Sequence, residues 1–474
     1  MLFSSNIFIF LFLPVTLGVY FVLPKAFKNV FLLIMSLAFY AWGEPKFVFA
    51  MIGSIVFNYA MALLVDHTWN NMILSRIALA ICLAGNIGLL SIFKYLGFIT
   101  ENLVRMGLDI PLMGYALPIG ISFFTFQSMS YAIDVYRGDA KVQKKPHNVG
   151  LYISIFPALI AGPIIRYKDF EPYIAGRTVD FEMFGEGVRR FILGLSKKVL
   201  LANNMALIAD HAFSMPDAER SIVYAWLGAI AYTFQIFFDF SGYSDMAIGL
   251  GKMFGFKFLE NFNLPYISKS ISEFWRRWHI SLGRWFRDYV YFSLGGSRVE
   301  SKVRLVFNLF ITWLLTGIWH GASWNFVVWG LMYFALITFE KLSGYPGKFK
   351  TGAAKGLYRV FTMLCVILGW VVFRAKGGAA AAGYYLSMLG LAGNPVMCDF
   401  VTFTFREYWL YLIFAVLFST ALPSNAMARL TDSVNSAVRL VTRALAVVLY
   451  IFCFLWAVSF IIIDAYNPFI YFNF

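Results

Sequence analysis

The sequence predicts an all-α, polytopic integral membrane protein, and three observations lead to this fold class. The chain has 474 residues, of which 60% are hydrophobic and only 14% are charged, whereas about a quarter of an average soluble domain is charged. Its mean hydropathy is +0.71. The apolar residues form unbroken runs rather than the alternating pattern of membrane β-strands. An ordinary soluble enzyme is therefore excluded.

Each apolar run is a candidate membrane-spanning helix, because about 20 helical residues cross the hydrocarbon core of a bilayer. Cutting the sequence at its charged residues leaves the runs 2–23, 29–43, 47–65, 77–93, 110–133, 148–165, 221–238, 305–339, 360–373, 408–428 and 444–463. Residues 188–209 add one candidate, and dividing the longest run adds another. We expect the first run to be a permanent helix rather than a signal peptide, because no Lys or Arg precedes it and no small-residue cleavage site follows.

No polar linker or internal repeat interrupts the chain, so we predict a single integral-membrane domain over residues 1–474. The net charge of +14 is concentrated in the loops 252–304 and 341–359. Loops rich in Lys and Arg between membrane spans stay in the cytoplasm. The charge therefore predicts cytoplasmic loops and argues against a nucleic-acid partner.

The first of these loops interleaves basic and aromatic residues in the sequence EFWRRWHISLGRWFRDYVYF. Such an amphipathic interfacial segment attracts phosphate groups. Two readings stay open: anchoring to the headgroups of membrane lipids, or a functional site for an anionic cofactor such as coenzyme A.

The run 305–339 is too long for one span, since 35 residues of helix measure about 52 Å. We predict a break near Gly317 and Gly321, which lie on either side of His320, the only Asp, Glu, Lys, Arg or His in the run. A backbone break at membrane depth requires protein or a water-filled cavity around it. His320 is therefore predicted to line an internal cavity, where a neutral imidazole suits a general base. The alternative is a core histidine bonded to a neighbour.

The segment FFDFSGYSD, residues 237–245, carries two acids in an apolar context. We expect its Ser-Gly-Tyr triplet to break the helix, with Ser241 and Ser244 available as caps. Asp239 and Asp245 are predicted to pair with the basic segment that follows and to fix its position, a structural role rather than direct chemistry.

His279 lies beside two arginines, whose charge disfavours its protonated form. The sequence alone leaves its functional and structural readings open. His67, His147 and His211 stand among loop-type residues and are assigned no chemistry. Cys82, Cys365, Cys398 and Cys453 lie far apart, and no closely spaced Cys or His ligand set is present, so no metal site is predicted.

Two blocks, TGIWHGASWNF and FDFSGYSDMAIGLGKMFGFKFLENFNLPYISKSISEFWRRWHISLGRWFRDYVYF, together resemble the membrane-bound O-acyltransferase family. The likeness is to the bacterial branch that acetylates exopolysaccharides such as alginate. It extends to PIGISFFTFQSMSYAIDVYRG, FPALIAGPIIRY, GWVVFRA and the ending PFIYFNF. It covers nearly the whole chain, with the catalytic core at about 118–340.

This resemblance implies about eleven spans, with re-entrant and interfacial helices around an intramembrane tunnel. It makes His320 the catalytic histidine and His279 the second active-site histidine. We assign binding of the substrate or acyl donor to Arg276, Arg277, Trp278, Trp319, Trp324 and Asn325. Structural support is assigned to Asp239, Asp245 and Tyr243.

The reaction implied is transfer of an acetyl group from acetyl-CoA, or another acyl thioester, to a hydroxyl group across the bacterial inner membrane. The expected partners are a periplasmic or extracellular acetyltransferase and the polysaccharide machinery. No bound cofactor is expected. Two alternatives stay open: a D-alanyl transferase for teichoic acid, and a transporter whose histidine-lined cavity is a solute path.

Overall fold

The computed structural model describes residues 1–432, 435–463 and 466–470, and it confirms the all-α class: this part of the chain contains helices and no strand. Ten of its helices are long and apolar enough to cross a membrane, and Phe8–Val22 is a shorter apolar helix. Their outward faces are apolar; in Ser436–Ile462, for example, Leu440 and Leu445 are more than 60% exposed. Such surfaces suit lipid, in which a helix satisfies its own backbone. The chain is a multi-pass membrane protein.

The chain forms two compact units. The first comprises Met1–Phe191 and Ser244–Leu259. Its complete helices are Phe8–Val22, Lys25–Gly43, Val48–His67, Met72–Arg105, Ile121–Arg137, Pro146–Ser154, Phe156–Leu159 and Tyr167–Gly176.

The second unit comprises Ile192–Tyr243 and Glu260–Phe474. Its complete helices are Pro265–Ile267, Ile271–Arg277, Ile280–Phe286, Arg287–Tyr291, Lys302–His320, Trp324–Ser343, Gly352–Arg374, Gly378–Leu389, Asp399–Phe418, Leu422–Thr431 and Ser436–Ile462. Two further helices, Phe181–Ser214 and Ile222–Met253, contribute residues to both units.

Three of the runs taken as spans are not among the ten long apolar helices; residues 2–23 contain only the shorter helix Phe8–Val22. Residues 148–165 form the helices Pro146–Ser154 and Phe156–Leu159, because Pro157 has no N–H with which to continue the first helix. Of residues 110–133 only the part from Ile121 is helical. Residues 110–118 are irregular, and Gly120, with φ 77°, directly precedes the helix.

The predicted break within FFDFSGYSD is wrong, because Ile222–Met253 is one continuous helix of 32 residues. Gly242 serves close packing instead. A Cβ added there would lie 2.7 Å from the carbonyl oxygen of Gly194, on the helix Phe181–Ser214. Ser241 and Ser244 are buried within the helix and cap no helix end.

The predicted break near His320 is confirmed and lies at Gly321. Lys302–His320 ends there in extended backbone, with φ −175° and ψ 158°, and Trp324–Ser343 begins three residues later. Gly317 has a different role. It faces Gly330 on the returning helix, and a Cβ at Gly317 would lie 2.4 Å from the carbonyl oxygen of Phe326. The two glycines let the arms of this hairpin approach closely.

Candidate active site

His320 is the last residue of its helix, and aromatic rings surround it. The imidazole meets the edges or faces of Trp319, Trp329 and Phe373 at centroid distances of 5.0, 5.0 and 5.2 Å. Its side chain is half-buried and lines a cavity. The helix end and the aromatic surroundings together fix the position of the ring.

His279 connects the short helices Ile271–Arg277 and Ile280–Phe286. It has φ 43° and ψ 55°, a left-handed conformation that is costly for a residue with a Cβ. Backbone strain of this kind persists only where the surrounding structure imposes it, and it clusters at functional sites. The strained turn holds the buried imidazole against the same cavity as His320.

Asn261 determines which nitrogen of His279 carries the proton. Its Oδ1 accepts the backbone N–H of Ser281 at 3.1 Å and the Ser281 hydroxyl at 2.9 Å. A backbone N–H can only donate, so the atom it meets is an oxygen and the 3.1 Å contact from His279 Nδ1 is also a donation. Nδ1 is therefore protonated, and the Nε2 of the neutral ring carries a lone pair.

The pKa of His279 lies well below its usual range, because the ring is buried and His320 is close to it. The ring is therefore neutral at pH 7. Its Nε2 is buried and has no hydrogen-bond partner among the described residues. A buried lone pair beside a cavity is an acceptor available to a ligand's hydroxyl group.

The cavity shared by the two histidines has a volume of about 540 Å³. One wall is a single face of the helix Lys302–His320, formed by Leu309, Thr312, Trp313, Thr316 and His320. From Leu309 to His320 this wall is about 16 Å long at 1.5 Å per residue. The cavity therefore extends well along the hairpin from the turn that carries His320.

The lining also includes three basic side chains, Arg276, Arg287 and Lys341, and one acidic side chain, Glu340. Lys341 lies 17 residues after Trp324 on the returning helix, about 25 Å from the histidine turn. The positive charge of Lys341 therefore lies near the end of the hairpin at which the loop 341–359 begins. The cavity thus extends from the histidine turn toward Lys341.

A second cavity, of about 20 Å³, also contacts His320 and Trp278. Its other lining residues are apolar or aromatic: Ile236, Phe240, Trp329, Trp370, Phe373 and Ile470. It has room for about one water-sized group. His320 therefore lies between a large, partly basic cavity and a small aromatic one.

The residues assigned to donor binding are placed differently from one another. Arg276 and Trp278 line the large cavity, as do the two histidines. Arg277 instead pairs with Glu273 at 2.9 Å and donates to the carbonyl oxygen of Asn263.

Three more of these residues surround the histidine turn. The ring of Trp319 is buried and lies 6.2 Å from that of His279. Trp324 is 54% exposed. The amide nitrogen of Asn325 donates to the carbonyl oxygen of Ala375. Within the part of the chain that the structure describes, none of these three residues lines either of the two cavities.

The predicted partners of the two acids were wrong. Asp239 forms an ion pair with Lys198 at 2.8 Å and accepts the backbone N–H of Ile470. Asp245 pairs with Arg190 at 2.6 Å. Both cations lie on the helix Phe181–Ser214 rather than on the basic segment that follows the acids. The acids meet them because the uninterrupted helix Ile222–Met253 packs against Phe181–Ser214. The ring of Tyr243 contacts that of Phe469.

Sequence reasoning missed Asn261 and Glu340. Nothing local distinguishes Asn261, whose role depends on a contact 18 residues away. The sequence did contain an indication for Glu340, because this acid directly follows the 35-residue apolar run. Ionisable groups in membrane segments are costly and are typical of functional sites.

These observations define the class: a polytopic membrane protein with two histidines on one cavity, the cavity reaching toward basic residues. The sequence profile of the membrane-bound O-acyltransferase family matches residues 52–345. The chain belongs to this family and is an O-acyltransferase, so a function limited to transport is set aside.

The relatives are similar over most of their length. The chain is 44% identical to the protein named Probable alginate O-acetylase AlgI of Pseudomonas aeruginosa, over 82% of this chain and 75% of that one. It is 38% identical to the protein of the same name from Pseudomonas putida over the whole of both chains. It is 36% identical to the peptidoglycan O-acetyltransferase of Helicobacter pylori, over 83% and 80%.

Proposed function

We propose that this protein transfers an acetyl group from acetyl-CoA to a hydroxyl acceptor for O-acetylation of a cell-envelope polysaccharide. The observation that carries the proposal is the single cavity that joins His320 and His279 to Arg276 and Lys341. The names of the relatives support acetyl as the acyl group and a sugar polymer as its destination. Such polymers lie outside the cytoplasmic membrane, which we propose as the protein's location.

The basic residues suit the donor. The phosphates of coenzyme A would meet Arg276, Arg287 and Lys341, and charge-assisted hydrogen bonds to phosphate are among the strong ones. Lys341 begins the loop 341–359, and the five basic residues of this loop predict that it is cytoplasmic. The thioester would then extend along the cavity toward His320.

His320 is the proposed general base. The acceptor hydroxyl gives its proton to the imidazole as its oxygen forms a bond to the thioester carbonyl carbon. The carbon–sulfur bond then breaks, and the imidazolium returns the proton to the departing thiolate. The products are the acetyl ester and free coenzyme A.

The geometry favours one of two roles for His279. Its Nε2 carries a lone pair, so this atom accepts a hydrogen bond from the acceptor hydroxyl and orients it. It cannot donate to a developing oxyanion while Nδ1 holds the ring's proton. We therefore propose that His279 orients the acceptor.

The acceptor is proposed to be a hydroxyl group of a periplasmic partner acetyltransferase, which passes the acetyl group to the polymer. A transient acetyl group on His320 is the alternative chemistry. It predicts label retained on the protein when radiolabelled acetyl-CoA is supplied without an acceptor.

The test uses the full-length protein in proteoliposomes with [¹⁴C]acetyl-CoA and a hydroxyl acceptor. His320→Ala should reduce transfer by a factor of 100 or more, since general-base catalysis contributes about 10²–10⁴-fold. The matched control is His67→Ala, at an exposed helix end in the other unit. Normal transfer by a well-folded His320→Ala protein would overturn the mechanism, and transfer of D-alanine but not acetyl would establish the teichoic acid alternative.

A further inference from the structure

A buried carboxylate holds the start of the helix that forms one wall of the cavity. Glu340, near the end of Trp324–Ser343, is 5% exposed. One of its oxygens accepts the backbone N–H of Ile271 at 2.8 Å and the hydroxyl of Tyr358 at 2.9 Å. The other oxygen accepts the backbone N–H of Ser272 at 2.8 Å. Three donors from two other elements thus converge on Glu340.

These bonds complete the first turn of the helix Ile271–Arg277. The first N–H groups of a helix have no partner inside it, and leaving such a group buried and unpaired is costly. Glu340 accepts the N–H groups of Ile271 and Ser272, and the Ser270 hydroxyl accepts that of Glu273 at 3.1 Å. The next N–H, from Phe274, reaches the carbonyl oxygen of Ser270. Every donor of the turn is therefore satisfied, two of them by one distant side chain.

The helix so anchored carries much of the active-site wall. Three of its residues line the cavity: Ser272, Trp275 and Arg276. Trp278 and His279, which directly follow the helix, also line it. With seven residues the helix makes few hydrogen bonds of its own. Its position therefore depends on what holds its ends. The other end is tied to Asn261, through His279.

We propose that Glu340 is a positioning residue for acyl transfer, which sets the place of the helix Ile271–Arg277 and so directs Arg276 into the donor cavity. Glu340 also lines the cavity, but both of its carboxylate oxygens accept the donors just described, so we assign it a role through the helix rather than on the substrate. The proposal rests on the proposed acetyl transfer, because Arg276 matters as a contact for the donor.

The test compares Glu340→Gln with two variants of the same network. In Glu340→Gln an amide NH₂ replaces one acceptor oxygen and faces a backbone N–H. We expect the KM for acetyl-CoA to rise about ten-fold, with a smaller fall in kcat, because Arg276 binds the donor while Asn261 still holds His279. Tyr358→Phe keeps both backbone bonds and should change KM less than two-fold. Ser270→Ala removes the other anchor of the turn and should raise KM by a few-fold.

Hydrogen–deuterium exchange gives a readout that needs no activity. In Glu340→Gln, faster exchange should be confined to peptides covering residues 268–280, with wild-type exchange in other helices. The matched control is Glu300→Gln, the same change at an exposed loop position.

If Glu340→Gln fails to fold, Ser270→Ala carries the test. Unchanged KM and unchanged exchange in the variants that fold would overturn the proposal, as would a Tyr358→Phe effect as large as that of Glu340→Gln. An inactive wild-type protein would instead contradict the proposed function, and the exchange result would still test the anchoring.

Discussion

At the scale of the residue, the site depends on the protonation state of His279. Asn261 is a neutral acceptor, so it fixes the tautomer without stabilising a positive charge on the ring. Burial and the neighbouring His320 then hold the pKa of His279 well below 6.5. The lone pair on Nε2 is consequently present throughout the physiological range of pH.

This arrangement predicts the effect of Asn261→Asp. A carboxylate at Nδ1 favours the imidazolium, so the pKa of His279 should rise, and the ring should lose its lone pair as the pH falls through the new value. Wild-type kcat/KM should show no contribution from His279 between about pH 6 and pH 8, whereas the variant should lose activity on the acidic side of that range.

The measurement is a pH profile of acetyl transfer. Asn71→Asp adds the same charge at an exposed helix cap in the first unit and should leave the profile unchanged. An Asn261→Asp profile that matched the wild type would contradict the assigned role of Asn261.

At the scale of the element, glycines determine how the helices meet. In the hairpin of Lys302–His320 and Trp324–Ser343, Gly317 and Gly330 face each other, and a Cβ at Gly330 would lie 2.6 Å from the carbonyl oxygen of Trp313. A Cβ at either position would meet backbone, which cannot move aside as a flexible side chain can. The arms would have to separate, and with them the wall that carries His320.

We therefore predict that Gly317→Ala destabilises the protein by about 1–3 kcal/mol, the usual cost of overpacking, despite the better helix propensity of alanine. The measurement is thermal unfolding of the purified protein in detergent. Gly356→Ala is the matched control: it lies in the helix Gly352–Arg374 with open space around it, so it should be neutral or slightly stabilising. Equal stability of the two variants would show that the hairpin tolerates separation.

Helix breaks that follow from the length of an apolar run could be predicted from the sequence, whereas helix contacts that depend on a distant residue could not. The break at Gly321 was predictable, because a 35-residue apolar run is longer than a membrane is thick. The continuity of Ile222–Met253 was not, because a Ser-Gly-Tyr triplet has the composition of a turn and of a close helix contact alike. Only the presence of Gly194 opposite Gly242 decides between them. The sequence likewise does not distinguish Arg276 from Arg277. They differ only in that the side chain of Arg276 lines the cavity and that of Arg277 donates to Asn263.

At the scale of the whole molecule, buried charge links distant parts of the chain. Lys198 and Asp239 are 3% and 2% exposed and pair at 2.8 Å. Lys198 also donates to the carbonyl oxygen of Pro468, and Asp239 accepts the N–H of Ile470 at 2.8 Å. Ile470 in turn lines the small cavity beside His320. One ion pair therefore anchors a segment more than 200 residues away, next to the reaction site.

We predict that Asp239→Asn lowers stability by about 3–5 kcal/mol, because it leaves the buried ammonium of Lys198 without its counter-charge. The double variant Lys198→Met/Asp239→Leu removes both charges and should recover much of that loss. It should nevertheless stay impaired in acetyl transfer, because neither new side chain can hold the backbone of Pro468 and Ile470.

Thermal unfolding and transfer assays of the two variants separate these effects. Glu407→Gln, at an exposed pair, should cost less than about 1 kcal/mol. Full activity in the double variant would show that the reaction does not depend on the anchored segment.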